Sequence, residues 1–177
     1  MINLLSNRLR LAPFNSSDLA LFLELSTCPV IMDHVYDPMS RQEAIAAFKI
    51  KVQPWTLSSN QWLTLSITDL ASREKIGNIG LKIVDHQNKV AEVGFMIKQS
   101  AQGKGFAGEA LSLIKYYAFT ELKLTQLVAT CAVNNHASVK LLEKSQFQRQ
   151  QLLPRNTLIN QQWIDDNLYS CINKAAL

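Results

Sequence analysis

Hydrophobic and polar positions alternate at the start of the chain and then change to helical spacing. Residues 8–14 alternate as RLRLAPF, which predicts a short first strand. Apolar residues recur every three to four positions over residues 18–27, and Pro29 follows. A capping box at residues 40–43 begins a second amphipathic stretch that ends before Pro54. The pattern predicts one strand followed by two helices.

The period changes to two from Trp62 onward. Three alternating segments follow each other, separated only by short polar stretches that suit turns. Because the connections are this short, the strands are most economically joined as an antiparallel meander. The predicted strands cover residues 62–68, 75–84 and 90–97.

The second half of the chain mixes both periods. A glycine-rich stretch at residues 102–108 leads into a helix, and strands and a short helix follow it. A length of 177 residues suits a single domain covering residues 1–177. We therefore expect an α/β fold with a mixed, mainly antiparallel central sheet of about seven strands and about four flanking helices.

The composition is that of an ordinary globular protein, with 47% hydrophobic and 18% charged residues. No apolar run approaches the roughly 20 residues that span a bilayer, and the N-terminus lacks a signal-peptide pattern. Cys28, Cys131 and Cys171 form an odd set without metal-binding spacing, and buried, inert thiols are expected. These observations predict a soluble, cytoplasmic protein without a bound metal or a membrane partner.

The net charge of +4 is unevenly distributed. Between Lys98 and Arg155 eight basic residues stand against three acidic ones. No basic run or basic helix face accompanies this excess, so nucleic acid is not an expected partner. The excess favours a small bound polyanion, although a soluble basic surface gives the same count.

The glycine-rich stretch is the clearest candidate for binding such an anion. Gly103, Gly105 and Gly108 lie between a predicted strand and a helix, where backbone N–H groups point outward together. A tight strand-to-helix turn would use the same glycines. The Walker spacing is absent, and an antiparallel meander does not suit a dinucleotide-binding unit.

The same stretch carries a recognisable signature. Gln102, Gly105 and Ala107 match the spacing of glutamine, glycine and a small residue in the GNAT superfamily of acyl-CoA-dependent N-acyltransferases. The chain resembles most closely the RimJ/RimL-type branch, the ribosomal-protein N-terminal acetyltransferases and their relatives. Further segments resemble that branch in order: residues 8–18, 92–97, 135–147 and 159–172.

The resemblance implies acetyl-CoA as acetyl donor and a sheet splayed in the middle to admit it. The diphosphate would lie on the amides of Gly103–Gly108. The pantetheine arm would follow the fourth predicted strand, where it splays from the fifth, and be held from the far side by Asn135. The implied coenzyme A contacts are Phe95, Met96, Ile97, Gln102, Gly103, Lys104, Gly105, Phe106, Ala107, Gly108 and Asn135.

Acetyl transfer to an amine needs a proton acceptor and a group near the leaving thiolate. Glu92, a carboxylate in an otherwise apolar strand, is the candidate base, and a backbone N–H of Phe95 or Ile97 would stabilise the oxyanion. The resemblance implies Ser138 beside the sulfur. Glu92 could instead face solvent or pair with a base, leaving the proton to ordered water. Asn135 and Ser138 could simply begin a helix.

The implied reaction is direct transfer to a primary amine without a covalent enzyme intermediate. The branch favours the α-amine of a protein or peptide N-terminus as acceptor. A small-molecule amine acceptor such as a polyamine or antibiotic, and a noncatalytic acetyl-CoA sensor, are the alternatives. Expected partners are coenzyme A and the amine acceptor, and a homodimer is left open.

Overall fold

The computed structural model describes residues 2–174, which form one continuous eight-stranded sheet with helices on both faces. Two 3-10 turns, Ser16–Asp18 and Gln99–Ala101, supplement the regular elements. The strands are β1 (Leu4–Leu5), β2 (Leu9–Pro13), β3 (Leu63–Asp69), β4 (Lys75–Asp85), β5 (Val90–Ile97), β6 (Gln126–Ala132), β7 (Gln148–Ile159) and β8 (Gln162–Ile172). The helices are α1 (Leu19–Thr27), α2 (Pro29–Met32), α3 (Arg41–Lys51), α4 (Phe106–Thr120) and α5 (His136–Lys144).

The helix starts follow local chemistry in the sequence. Ser40 and Glu43 form the predicted reciprocal cap of α3, with Glu43 N donating to Ser40 Oγ at 3.3 Å and Ser40 N donating to Glu43 Oε2 at 2.8 Å. Pro29 follows α1 and is also the first residue of the short helix α2. A first-turn residue needs no N–H partner, so proline is tolerated there.

The sheet order is β1-β2-β3-β4-β5-β6-β8-β7, and neighbouring strands are antiparallel except β5 and β6. The predicted meander is present as β3, β4 and β5. The parallel pair shares only three residue pairs, Val90–Glu92 with Gln126–Val128. Beyond Glu92 the two strands separate, and this opens the sheet in its middle.

The two faces of the sheet carry different hydrophobic clusters. Ala91, Val93 and Ile97 of β5 join α4 in the larger cluster. Met96 belongs to the smaller cluster around Phe22, formed by α1 and α3. Because successive side chains on a strand point to opposite faces, α4 lies on one side of the sheet and α1 and α3 lie on the other.

The predicted fold class is confirmed, and the element counts rise by one each to eight strands and five helices among residues 2–174. The additional elements are the two-residue strand β1 and the four-residue helix α2. Elements this short complete no period of hydrophobic spacing. The alternating pattern therefore carried no signal for them.

Candidate active site

A cavity of about 250 Å³ occupies the opening between β5 and β6. Its lining comes from both faces of the sheet, so it passes through the plane of the strands. Residues toward α1 and α3 include His34, Tyr36, Lys51, Trp62, Asn78, Glu92, Met96, Thr157 and Asp166. Residues toward α4 and α5 include Val93, Phe95, Cys131, Asn135, Ser138 and Leu142.

Two glycines on neighbouring strands lie beside the Trp62 ring in the wall of this cavity. Gly80 of β4 and Gly94 of β5 are opposite each other in register. A Cβ at Gly94 would lie 3.2 Å from the Trp62 ring, and one at Gly80 would lie 2.3 Å from the Leu63 carbonyl oxygen. The missing side chains therefore leave room for close neighbours, the Trp62 ring at Gly94 and the Leu63 carbonyl at Gly80.

Glu92 stands at the last residue pair before β5 and β6 separate, and it lines the cavity. Burial raises the pKa of Glu92 above its usual value, while the Lys82 ammonium and the Thr130 hydroxyl act in the opposite direction. A carboxyl group with a raised pKa accepts a proton more readily than an exposed one. The structure thus brings the carboxyl group of Glu92 into the cavity wall, and its role as general base stays a prediction.

Asp166 is a second carboxylate in the same cavity wall. It is only 3% exposed, and its Oδ2 accepts hydrogen bonds from Asn156 Nδ2 at 2.8 Å and Thr157 Oγ1 at 2.6 Å. A bulge brings these donors together, because three residues of β7 oppose one residue of β8 between the pairs Leu153–Asp166 and Thr157–Ile164.

Asp166 affects the pKa of two other groups in the cavity wall, Tyr36 and Cys131. Burial, then the carboxylates of Glu92 and Asp166, raise the pKa of Tyr36. Burial and Asp166 also raise the pKa of Cys131 to about 11, although Ser138 opposes the shift. The Cys131 thiol is therefore protonated at neutral pH, as the expectation of an inert thiol requires.

Sequence reasoning missed Asp166, although the sequence contained a signal for it. Asp165 and Asp166 are adjacent on a strand, so one of the two side chains must point to the cavity face. Tyr36 and Lys51 were missed as well. They come from a loop and a helix end that alternation does not assign to either face.

The start of α5 contributes Asn135 and Ser138. Asn135 Oδ1 accepts a hydrogen bond from Ser138 N at 3.1 Å, which is an N-cap. Both residues also line the cavity. The cap uses only the backbone N–H of Ser138. The Ser138 hydroxyl takes no part in the cap and forms a hydrogen bond with the Cys131 thiol.

The glycine-rich loop leads into α4 at the other end of β5. Gly103 and Gly105 have positive φ angles of 74° and 80°, and Gly105 is the N-cap of α4. No side chain within residues 2–174 caps this helix, unlike α3 and α5. A Cβ at Gly103 would meet no atom within 4 Å. The first-turn amides of α4 thus form an open cradle that suits a diphosphate group.

Arg8, from the N-terminal region, contacts the glycine-rich loop and the first turn of α4. Arg8 Nε donates to Glu109 Oε2 at 2.7 Å, Arg8 Nη1 donates to the Lys104 carbonyl at 3.1 Å, and the guanidinium lies 4.9 Å from the Phe106 ring centroid. Ser6 Oγ also donates to Glu109 Oε1 at 2.6 Å. Burial alone would raise the pKa of Glu109, but the hydrogen bonds from Ser6 and Arg8 lower it overall, so the carboxylate is ionised.

The predicted coenzyme A contacts other than Ile97 divide into two groups. Phe95 and Met96 of β5 and Asn135 at the start of α5 line the cavity. The residues from Gln102 to Gly108 lie at the loop and the start of α4, outside the cavity lining. This loop follows β5 along the chain.

Several predicted contacts have structural partners of their own. Gln102 Nε2 donates to the Ile97 carbonyl at 3.1 Å, and the Ile97 side chain is buried in the larger core. Phe106 is buried beneath Arg8, and a Cβ at Gly108 would lie 3.3 Å from Leu141 on α5. These positions offer backbone groups to a ligand rather than side chains.

Residues 8–148 match the family model described as the acetyltransferase (GNAT) domain. The chain belongs to the GNAT acetyltransferase family. The resemblance inferred from the glycine signature and the segments around it is thereby confirmed.

Three similar proteins illustrate the range of this family. This GNAT domain is 34% identical over 101 residues to the "uncharacterized N-acetyltransferase p20" of Bacillus licheniformis, covering 57% of each chain. It is 33% identical over 100 residues to the ribosomal-protein-serine acetyltransferase of Escherichia coli (strain K12), covering 56% of this chain and 55% of that one. The chain thus spans little more than half the length of these curated relatives.

The fold is shared with solved GNAT structures. The spermidine N-acetyltransferase of Vibrio cholerae, solved in complex with CoA and spermine, superimposes with a TM-score of 0.83 at 24% identity, covering 95% of this chain and 97% of that one. This likeness concerns the fold. Relatives of this GNAT domain therefore include both a protein acetyltransferase and a polyamine acetyltransferase.

Two further observations concern residues 2–174 only. None of the helices in this range has the length and apolar character needed to cross a membrane. No cluster of three or more histidine, cysteine, aspartate or glutamate side chains in this range could hold a metal ion.

Proposed function

We propose that this GNAT domain transfers the acetyl group of acetyl-CoA directly to the α-amine of a peptide or protein N-terminus. The observation that carries the proposal is the cavity through the sheet. On one face it is lined by the start of α5, and on the other face by two carboxylates, Glu92 and Asp166. The donor and the acceptor would therefore enter from opposite faces of the sheet and meet inside the cavity.

The donor side is supported by the residues that would hold acetyl-CoA. The first-turn amides of α4, reached through Gly103 and Gly105, suit the diphosphate. Phe95 and Met96 lie on the part of β5 that is not paired with β6, where an amide-bearing arm can extend the strand edge. When bound, the donor supplies an activated acetyl group on sulfur.

The acceptor side is supported by charge. An alkyl ammonium must lose a proton before it can attack, and Glu92 has a raised pKa at the edge of the opening. Asp166 adds a second negative charge that attracts the ammonium form. Ser138 lies on the donor side, where its hydroxyl can stabilise the departing thiolate.

A covalent acyl-enzyme is not part of the proposal. Cys131 is the cysteine in the cavity wall, and its pKa of about 11 keeps the thiol protonated and poorly nucleophilic. Cys131→Ala should therefore retain turnover within about threefold. Loss of all turnover in that variant would contradict direct transfer.

A polyamine is the second candidate acceptor. The pair of carboxylates in one cavity suits a cation, and the V. cholerae structure with CoA and spermine has the same fold. Lys51, however, lines the same acceptor side and repels a ligand with several positive charges. This lysine favours an acceptor with a single ammonium group.

The decisive experiment measures CoA release with a panel of N-terminal peptides, spermidine, spermine and an aminoglycoside. Peptide turnover with kcat/KM at least about tenfold above that of every polyamine supports the proposal. Turnover of polyamines alone would replace it with the second candidate. Binding of acetyl-CoA without turnover of any amine would indicate a sensor.

A loop variant provides the control for donor binding. Gly105→Asp adds a negative charge and forces a side chain onto a positive φ angle at the cradle. Calorimetry should then show acetyl-CoA binding weakened by at least about tenfold. Undiminished binding would mean that the donor does not use this loop.

A further inference from the structure

Lys51 is a cation in the cavity wall whose role the proposed reaction does not explain. It lies in the last turn of α3, and its Nζ stands 5.6 Å from the ring centroid of Phe22. The ion pairs formed within residues 2–174 involve Arg8, His34, Lys75 and Lys98, but not Lys51. Its ammonium group thus has an aromatic neighbour and no carboxylate partner in this range.

The apolar surroundings of Lys51 destabilise its charged, ammonium form. Phe22 and Phe48 belong to the smaller hydrophobic cluster beneath α3. Burial lowers the pKa of Lys51, and no carboxylate of residues 2–174 forms an ion pair that offsets the loss of hydration. An ammonium ion over an aromatic ring keeps only part of its stabilisation, because the ring supplies a quadrupole rather than a full charge.

The position of Lys51 relates it to the acceptor rather than to the donor. It lies on α3, on the face of the sheet opposite α4 and the glycine-rich loop. On that face the cavity also contains the carboxylates of Glu92 and Asp166. The acceptor side therefore presents charges of both signs to whatever enters it.

We infer that Lys51 binds a carboxylate of the acceptor, so that the preferred acceptor is a peptide with an aspartate or glutamate close to its α-amine. This inference rests on the proposed function and narrows its substrate class. The ammonium end of such a peptide faces Glu92 and Asp166, and its acidic side chain forms with Lys51 the ion pair that the protein itself does not provide. Both partners are desolvated in the cavity, which strengthens the selectivity.

The test uses C-terminally amidated peptides that begin with serine and carry a single aspartate at position 2, 3 or 4, each matched by the asparagine peptide. Wild type should acetylate at least one aspartate peptide with kcat/KM about tenfold above its asparagine match. Lys51→Met keeps the length of the stem, and the ratio should fall to within about twofold. Lys51→Arg should retain the preference.

Lys49→Met provides the matched control, because Lys49 is an exposed lysine on the same helix. It should keep the wild-type ratio. Thermal unfolding and the KM for acetyl-CoA should be the same in all four proteins. Calorimetric titration of each peptide into the enzyme–CoA complex gives the same comparison without turnover.

The outcomes separate this inference from the proposed function. Acetylation of peptides without any aspartate preference, or with a preference that survives in Lys51→Met, overturns the role of Lys51 and leaves the function intact. A second set pairs small primary amines with and without a carboxylate. If peptides are inert but the carboxylated amines are preferred through Lys51, the role of Lys51 stands and the peptide acceptor fails. Failure of both sets overturns both proposals.

Discussion

The carboxyl group of Glu92 connects burial with the pH dependence of catalysis. Its pKa is raised, and only the ionised form can accept the proton of the amine. Activity should therefore be lost as the pH falls through a value above the usual 4.5 of a glutamate. Glu92→Gln should lower kcat by at least about 100-fold and remove this acidic limb from the pH profile.

The exposed Glu121 offers a matched control, since Glu121→Gln makes the same chemical change on the surface. It should leave kcat and the profile unchanged. A Glu92→Gln variant with wild-type kcat would transfer the role of base to ordered water.

The same residue makes a separate prediction about stability. A carboxyl group whose pKa is raised by folding stabilises the protein below its unfolded pKa, and that contribution is lost as the pH rises through the folded pKa. Glu92→Gln should therefore raise the Tm at pH 7, where the wild-type charge is buried at a cost. The difference should vanish below about pH 4.5. A lower Tm at pH 7 would mean that Glu92 stabilises the fold.

The sequence singled out Glu92, and the structure places this residue in the cavity wall. Glu92 lies in an apolar strand, so an ionisable group there already required an explanation. Asp166 and Lys51 needed information about three-dimensional neighbours. A bulge in β7 supplies the donors to Asp166, and the cavity side of Lys51 depends on how α3 packs on α1.

At the scale of elements, the end of α5 contains a strained residue. Gln146 follows the helix with a φ of 68°, and Phe147 N donates to the Leu142 carbonyl at 3.0 Å across it. This is a helix end that normally uses glycine. Gln146→Gly should stabilise the protein by about 0.5–1 kcal/mol and raise the Tm by roughly 1–4 °C.

Gln151 serves as the comparison, because it lies within β7 and is paired with Leu168 of β8. Gln151→Gly should lower the Tm, since glycine weakens a strand without relieving any strain. Equal effects of the two substitutions would show that the helix end is not strained.

Helices and strands could be predicted where their signal lies within a short stretch of sequence. The capping box of α3 and the three alternating strands were identified because each is encoded within a few neighbouring residues. The pairing of β5 with β6 could not be obtained in that way, because residues 98–125 separate the two strands. The resemblance to the GNAT family supplied the splayed sheet that periodicity could not.

For the whole molecule, the Arg8–Glu109 contact links residues far apart in sequence. Glu109 places a negative charge in the first turn of α4, where a diphosphate is proposed to bind, and Arg8 neutralises it. Arg8→Gln should weaken acetyl-CoA binding about tenfold in calorimetry. The double variant Arg8→Gln, Glu109→Gln should restore the affinity to within about threefold, because the exposed carboxylate is then gone.

S-acetylpantetheine lacks the diphosphate and serves as the control donor. Its kcat/KM should be the same in wild type and Arg8→Gln. Failure of the double variant to regain affinity would mean that Arg8 contacts the donor directly instead of acting through Glu109.

The three residue pairs between β5 and β6 also bear on where the sheet opens. On one side of them lies the half formed by β1 to β5, and on the other the half formed by β6, β8 and β7. Apart from the two-pair ladder of β1 and β2 at the edge, the ladders within each half are longer than three pairs. Amide hydrogen exchange depends on which ladder opens at the lowest free energy. We expect the two halves to separate first at this short central ladder, and a donor bound between them to hold them together.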